Sequence, residues 1–303
     1  MKKPRVPVSW IEKILSGLIL RAQENLLADF HNFAIYDTPL IGIADGDDPL
    51  FHTFKKAVSP DHLLPREVME AYADEKTDLS RISIISWALP FSDPVRRSNR
   101  GAGWPSRLYS AARNNGGALN YLAGLRFMKL LKNRGVAAVF PASTKEYDAF
   151  RSPDFTFSST WSERHIAFAA GLGYFGLNAS LITKAGASVR LGSIITNLDL
   201  NREKTPVRNH RAPCLDDKRT DCTACITRCP VNAITADGLD KEKCYAMRGS
   251  VRRRHLAQYA EEMNLIPSPI VKSGKRHEGY SLGCALCQCG VPCEGTDPFS
   301  ESG

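Results

Sequence analysis

The run RTDCTACITRCP, residues 219–230, decides how the chain is read. Cys222, Cys225, Cys229 and Pro230 fit the last three cysteines and the proline of the four-iron signature C-x2-C-x2-C-x3-C-P, but Arg219 stands where its first cysteine belongs. A cubane cluster takes four ligands, so the fourth thiolate has to come from outside the run.

The chain has nine cysteines, all after residue 213. Cys214 lies upstream of the broken signature, Cys244 stands alone downstream, and GCALCQCGVPCE, 283–294, adds Cys284, Cys287, Cys289 and Cys293. Each half then has a distant first cysteine, a C-x2-C pair and a last cysteine beside a proline. A tight C-x2-C turn places two thiolates on neighbouring irons, whereas the proline-linked last cysteine of a two-cluster protein ligates the other cluster. The expected sets are therefore crossed: Cys214, Cys222, Cys225 and Cys293 for one 4Fe-4S cluster, and Cys229, Cys244, Cys284 and Cys287 for the second. Two all-cysteine zinc sites, or disulfides, are the alternatives. Cys289 is left over, as a spare thiol or an alternative ligand.

At 303 residues the chain is long enough for one large domain and one small one. The cysteine-free stretch 1–205 and the cysteine-rich stretch 206–303 are the natural division. With 43% hydrophobic and 24% charged residues the composition is that of a soluble globular protein. The formal charge of +8 counts every thiol as neutral. Two oxidised clusters, each about −2 with its thiolates, would bring it to roughly +4, which weakens the case for a nucleic-acid partner. The N-terminus MKKPRVPVSW leads into WIEKILSGLIL, whose Glu12 and Lys13 interrupt any signal or membrane segment. A cytoplasmic chain with no membrane partner is expected.

Periodicity gives a helix over 10–34, a second over 61–72 capped by Asp61, a buried strand over 81–91, a polar loop over 92–106 and a long helix over 107–134. Strands over 136–142 and 189–200, and helices over 162–170 and 244–263, complete an α+β chain of α/β layers. Gly171, Gly173 and Gly176 spell G-x-G-x-x-G, but they end a helix rather than follow a strand, so they do not form a dinucleotide loop.

These residues carry a resemblance. The C-terminal third and SSTWSERHIAFAAGLGYFGLNASLITKAGASVRLGSIITNLDL, 158–200, resemble the epoxyqueuosine reductase and reductive dehalogenase superfamily, with looser similarity in WALPFSD and YDTPLIGIADGDDPLF. The resemblance implies a nitroreductase-like cobalamin-type domain followed by a two-cluster ferredoxin-like domain. It implies an oxidoreductase whose clusters feed a corrinoid for reductive chemistry on an organic substrate, with flavodoxin or ferredoxin as donor and tRNA as a possible partner. Asn99, Ser158, Ser159, Thr183, Gly192 and Ser193 are the corrinoid contacts it suggests. The family's proton-donating aspartate would fall at Phe157 or Ser158, where no carboxylate stands. Its arginine-aspartate-tyrosine-histidine run is not reproduced in SNRGAGWPS, and a helical tRNA-binding extension is not expected, since the sequence stops shortly after Cys293. Asp154, Arg164 and His165 remain as candidate acids. The basic run 252–255 with Lys272, Lys275 and Arg276 is a candidate phosphate-binding or donor-docking face. A ferredoxin-type electron carrier, or an accessory protein that reduces corrinoids for another enzyme, is the alternative function.

Overall fold

The computed structural model describes residues 6–101, 103–152, 156–200, 210, 211, 214, 222–272 and 275–299. Arg219 and Asp154 lie outside the described residues, as do the side chains of Lys272 and Arg276.

The continuous apolar run at 83–90 becomes the centre of the molecule. In chain order come helix α1 (Val8–Leu20), strands β1 (Leu26–Leu27), β2 (Phe33–Ala34) and β3 (Leu40–Asp45), helices α2 (Leu50–Ala57) and α3 (Pro65–Tyr72), and strand β4 (Ser83–Pro90). Helices α4 (Asp93–Ser98) and α5 (Arg107–Lys132) follow, then β5 (Ala138–Val139), β6 (Ala149–Ser152), β7 (Thr156–Ser159), α6 (Glu163–Ala169), β8 (Gly173–Phe175), β9 (Leu181–Thr183) and β10 (Val189–Thr196). The cysteine-rich part holds α7 (Ala224–Thr227), β11 (Ile234–Thr235), β12 (Gly238–Leu239), α8 (Lys241–Tyr259), β13 (Ser268–Lys272) and β14 (Lys275–Gly279).

Four strands form one antiparallel sheet in the order β3-β4-β10-β5, and the others pair as two-stranded ribbons. All eight residues of β4 are buried, because helices cover both faces. Ile85, Trp87 and Leu89 point to α1 and α5, where Ile11, Leu15 and Phe127 meet them. Ile82 and Ile84 point the other way, to Phe51 and Phe54 of α2, Met69 of α3 and Ile166 of α6. Burying each such side chain stabilises the fold by about 1.5–3 kcal/mol. Among the described residues no helix is long and apolar enough to cross a membrane.

The helix expected over 10–34 stops at Leu20. Asn25 explains the break: its side chain accepts from Tyr36 N–H at 2.9 Å and donates to Tyr36 carbonyl at 3.2 Å, closing a turn instead of extending a helix. Asp61 does not cap the second helix, which begins at Pro65; there the Glu67 carboxylate reaches back to Leu64 N–H at 3.0 Å. The loop expected at 92–106 contains α4, with proline in its first turn.

Helix α5 also carries the cysteine-rich part. Asn114 donates to Ile266 carbonyl at 2.9 Å and accepts from Ser281 N–H at 2.7 Å. Asn115 donates to Asn264 carbonyl at 3.1 Å and accepts from Ile266 N–H at 3.0 Å. These two amides fix the open end of the β13-β14 ribbon, where one strand begins and the other finishes, and so place the segment leading to Cys284.

Candidate functional site

The cysteines fall into two groups. Cys214, Cys222, Cys225 and Cys293 line one small cavity, floored by Leu177 and Ile182. Cys229, Cys244, Cys284 and Cys287 line one end of a second cavity of about 680 Å³. Neighbours in sequence part company here: Cys229, four residues after Cys225, faces the second cavity, and Cys293, six after Cys287, faces the first.

Local backbone explains the parting. Short helix α7 carries Cys225, and the turn that ends it at Arg228 sends Cys229 to the other side. Ala285, between Cys284 and Leu286, takes a left-handed φ of 50°, a conformation that costs an alanine about 1 kcal/mol and aims Cys284 and Cys287 together. Cys293 is fixed by Ala187 N–H, which donates to its carbonyl at 2.7 Å. The stretch before Cys214 is held by Phe175 N–H donating to His210 carbonyl at 2.8 Å.

Each of these eight residues is partly accessible and lines its cavity. Burial raises the pKa of Cys225 to about 11 and of Cys293 to about 12, with the other thiols of the same group adding to the rise. Burial is also the first cause for Cys214, Cys244, Cys284 and Cys287, and Cys287 additionally feels Cys225, so the two groups adjoin. Against this, N–H groups of Leu177, Ile226 and Leu286 favour the thiolates of Cys214, Cys225 and Cys284, and Ala233 N–H donates to Cys229 Sγ at 3.1 Å. Such N–H···S bonds stabilise bound thiolates and tune potential. Crowded thiols of this kind ionise only when a metal takes up their charge, so loading releases protons.

Among the described residues no three His, Cys, Asp or Glu side chains stand close enough to hold one ion. Tetrahedral zinc needs thiolates about 3.8 Å apart, given its Zn–S distance. A four-iron cluster, which spreads its ligands over the corners of a cube, asks for a wider set of thiolates.

Cys289 lines neither cavity. It is fully buried, 4.0 Å from Ser188 Oγ, and burial pushes its thiol up to about 11. Cys289→Ser should therefore leave the iron content of a reconstituted chain unchanged, as read by colorimetric iron assay.

The large cavity runs from the second thiol group between α5, α6, β10 and α8. Its volume lies in the range of cofactor and ligand pockets, and Tyr121, Phe140, Phe157 and Tyr245 give it flat aromatic walls suited to a planar ring system. Arg113, Arg164, Arg190, Lys241 and Arg248 also line it. Burial lowers the Arg113 guanidinium to about 10, and Arg190 and Arg248 push the same way.

None of the six residues suggested as corrinoid contacts lines this cavity. Asn99 donates to Cys284 carbonyl at 3.1 Å and accepts from Ser106 N–H at 3.1 Å, so it holds the thiol-bearing loop instead. Ser158 Oγ donates to Val58 carbonyl at 2.5 Å, Ser159 pairs with Ala149, and Thr183 Oγ1 donates to Gly186 carbonyl at 2.9 Å. A Cβ on Gly192 would stand 2.5 Å from the Trp87 ring, which is why glycine is there. Ser193 Oγ accepts from Trp161 Nε1 at 3.0 Å and donates to Glu163 Oε2 at 2.7 Å. These residues are engaged in packing. Gly173 of the G-x-G-x-x-G run lies under the Ile182 carbonyl, where a Cβ would meet it at 2.1 Å; the run lets β8 pair with β9 and forms no phosphate loop.

Of the candidate acids, Arg164 lines the cavity and donates to Ala179 carbonyl. Burial first, then Arg248, lowers its pKa. His165 does not line it: the ring packs on Phe54 and Phe175, its Nδ1 lies 2.8 Å from Ser162 Oγ, and burial drops its pKa to about 3. In the basic run, His255 is buried and accepts from Trp104 Nε1 at 3.2 Å, while Arg254 lies over the Trp104 ring. Arg252 and Arg253 remain exposed.

Sequence reasoning passed over Glu163, Arg113, Arg190 and Arg228. Their signal was present: charged residues inside apolar or small-residue stretches such as SAARNNGG and VRLGSII. Burial pushes Glu163 up to about 8, opposed by Ser193. Its carboxyl ordinarily ionises near 4.5. The stabilisation from its bound proton is thus fully present below pH 4.5 and is lost as pH rises to about 8. Glu163→Gln should gain on the unaltered chain across that window by up to about 1.4 kcal/mol per pH unit, measured as urea midpoints from pH 5 to 8.

The chain is similar in sequence to several epoxyqueuosine reductases. It is 33% identical over 132 residues to that of Gloeobacter violaceus, covering 43% of this chain and 35% of the relative. It is 30% identical over 188 residues to that of Aliivibrio fischeri, covering 61% and 46%, and 37% identical over 133 residues to that of Bacillus cereus, covering 43% and 29%. The matched stretches span less than half the length of these curated relatives. No protein-family model matches the chain. Among solved structures, a selenomethionine-labelled epoxyqueuosine reductase aligns with a TM-score of 0.42 at 18% identity, over 68% of this chain and 52% of that one. An epoxyqueuosine reductase with an epoxyqueuosine-modified tRNA-Tyr stem loop aligns equally weakly, over 77% and 56%.

Proposed function

Because the chain is epoxyqueuosine-reductase-like in sequence, we propose that it is an iron-sulfur reductase with two crossed 4Fe-4S sites and a corrinoid-type cofactor in its large cavity. The observation that carries this reading is the division of eight thiols into two groups of four, each completed by a cysteine from the other end of the cysteine-rich part. Residues 1–205 take the nitroreductase-like role and 206–303 the ferredoxin-like role. Cys214, Cys222, Cys225 and Cys293 would hold the first cluster, and Cys229, Cys244, Cys284 and Cys287 the second. Bound, the clusters would supply electrons singly at low potential and the corrinoid a metal centre able to act as nucleophile.

The chain's own residues do the rest. The aromatic walls would face a flat ring, and the N–H groups aimed at the thiols would tune the potential of a bound cluster. Arg113 and Arg248 stand near Cys244 and offset the charge of a loaded second site. The cavity's five cations outnumber that charge, which favours an anionic substrate such as RNA. The relatives' name makes an epoxyqueuosine-bearing tRNA the first substrate to try, and exposed Arg252 and Arg253 a surface for phosphate or for a flavodoxin or ferredoxin donor.

The test is anaerobic reconstitution followed by titration with cobalamin, then incubation with an epoxyqueuosine-modified tRNA stem loop and titanium(III) citrate. A perturbed corrin spectrum and conversion of the stem loop are expected. Clusters without any corrin change in either redox state would leave an electron carrier.

A further inference from the structure

Reduction of an organic substrate by two electrons consumes two protons, and the position where the family resemblance puts a proton donor holds no acid. Phe157 there is a cavity wall, and Ser158 spends its hydroxyl on Val58 carbonyl. Among the described residues lining the large cavity, Glu163 is the only carboxylic acid. It opens α6, the helix beside the cavity, and is oriented by the chain Trp161 Nε1 to Ser193 Oγ to Glu163 Oε2.

We propose that Glu163 holds a proton for the large cavity and donates it to the substrate during reduction, a role that rests on the reductase reading above. The O–H bond of the carboxyl breaks and its proton goes to the substrate atom that has received the electron pair. The pair comes from two equivalents of a low-potential one-electron donor. The second proton comes from water, and water entering the cavity returns the first to the Glu163 carboxylate. Substrate, two electrons and two protons thus give the reduced product with the acid restored.

Charge and burial agree with this role. No salt bridge to Glu163 is found among the described residues, and burial and the Ser193 hydrogen bond, not the cations elsewhere in the cavity, govern its carboxyl. The other charged or titratable groups lining the cavity are Arg164 on the same helix, Arg190 on β10, Arg113 and Tyr121 on α5, Lys241, Cys244, Tyr245 and Arg248 on α8, Tyr147, and the thiols of Cys229, Cys284 and Cys287; His165, on α6, packs on Phe54 and Phe175 outside it. Strands β3, β4 and β8 and helix α2, which also pack on α6, turn no charged side chain into the cavity. Burial dominates, and the carboxyl is pushed up to about 8. An acid of that strength is mostly protonated at pH 7 and gives its proton up readily, as a general acid must.

Two measurements decide it. Infrared titration of the chain needs no substrate: a protonated-carboxyl band with a midpoint near pH 8, shifted on mixing with D2O, retained in Glu163→Asp and missing from Glu163→Gln, is expected. An ionised Glu163 at pH 7, or a band that resists exchange for hours, would overturn the proposal whatever the substrate is. With the stem loop and titanium(III) citrate, Glu163→Gln should slow single turnover by about a hundredfold or more at unchanged KM and iron content, and abolish the fall in rate above pH 8. A rate within twofold of the unaltered chain would also overturn it. Failure of the unaltered chain to convert the stem loop would count against that substrate, and the infrared result would still decide for or against Glu163.

Discussion

Cys293→Ser is expected to remove about four of eight irons from the reconstituted chain, and to take them from the group whose other members lie between residues 214 and 225. Serine cannot supply a thiolate, and Cys293 is the only member of the first group that comes from the C-terminal run. Double substitution makes the crossing visible. Cys214→Ser with Cys293→Ser should lose no more iron than either alone, because both strip the same site. Cys244→Ser with Cys293→Ser should lose nearly all of it. If the last cysteines served their own runs instead, the two pairs would exchange results. Iron assay and the electron paramagnetic resonance of the reduced chain distinguish the cases.

The second large effect belongs to Arg228, which sits between Cys225 and Cys229. Its Nε donates to Cys289 carbonyl at 3.0 Å and Leu286 carbonyl at 3.3 Å. Nη1 donates to Arg100 and Gly101 carbonyls at 3.0 Å each, and Nη2 to Asn99 carbonyl at 2.8 Å. One guanidinium thereby ties the loop after α4 to the turn that presents Cys284 and Cys287. Arg228→Ala would leave half-buried carbonyls without donors. A loss of roughly 3 kcal/mol in urea unfolding is expected, together with faster iron loss to a chelator, since each hydrogen bond to a charged group contributes about 1.5–3 kcal/mol and part of this one is exposed. Arg228→Lys should rescue little, because a single ammonium cannot reach carbonyls on two sides. Equal stability and equal iron retention in Arg228→Ala would contradict this role.

The central strand, the long α5 and the helix before AGLGYFG were legible because burial imposes a regular apolar pattern, and β4 and β10 needed no more than that. The break after Leu20 was not, since it depends on Asn25 meeting Tyr36, a contact between residues eleven apart. The cysteine groups were legible from spacing and from the geometry that a proline turn enforces. The cavity wall was not. Asn99, Thr183 and Ser193 were suggested as ligand contacts by the family resemblance alone, and their partners are backbone and side-chain groups that only folding brings near. Glu163 escaped notice for the opposite reason: next to Arg164 in sequence it reads as half of a surface ion pair, yet Arg164 turns to Ala179 and Glu163 to Ser193.

The most direct measurement is the iron and acid-labile sulfide content of the anaerobically reconstituted chain, with zinc assayed in the same sample. About eight irons and eight sulfides per chain, without stoichiometric zinc, are expected from two four-iron sites. Two zinc ions and no sulfide, or four irons that survive Cys293→Ser and Cys214→Ser alike, would contradict the account.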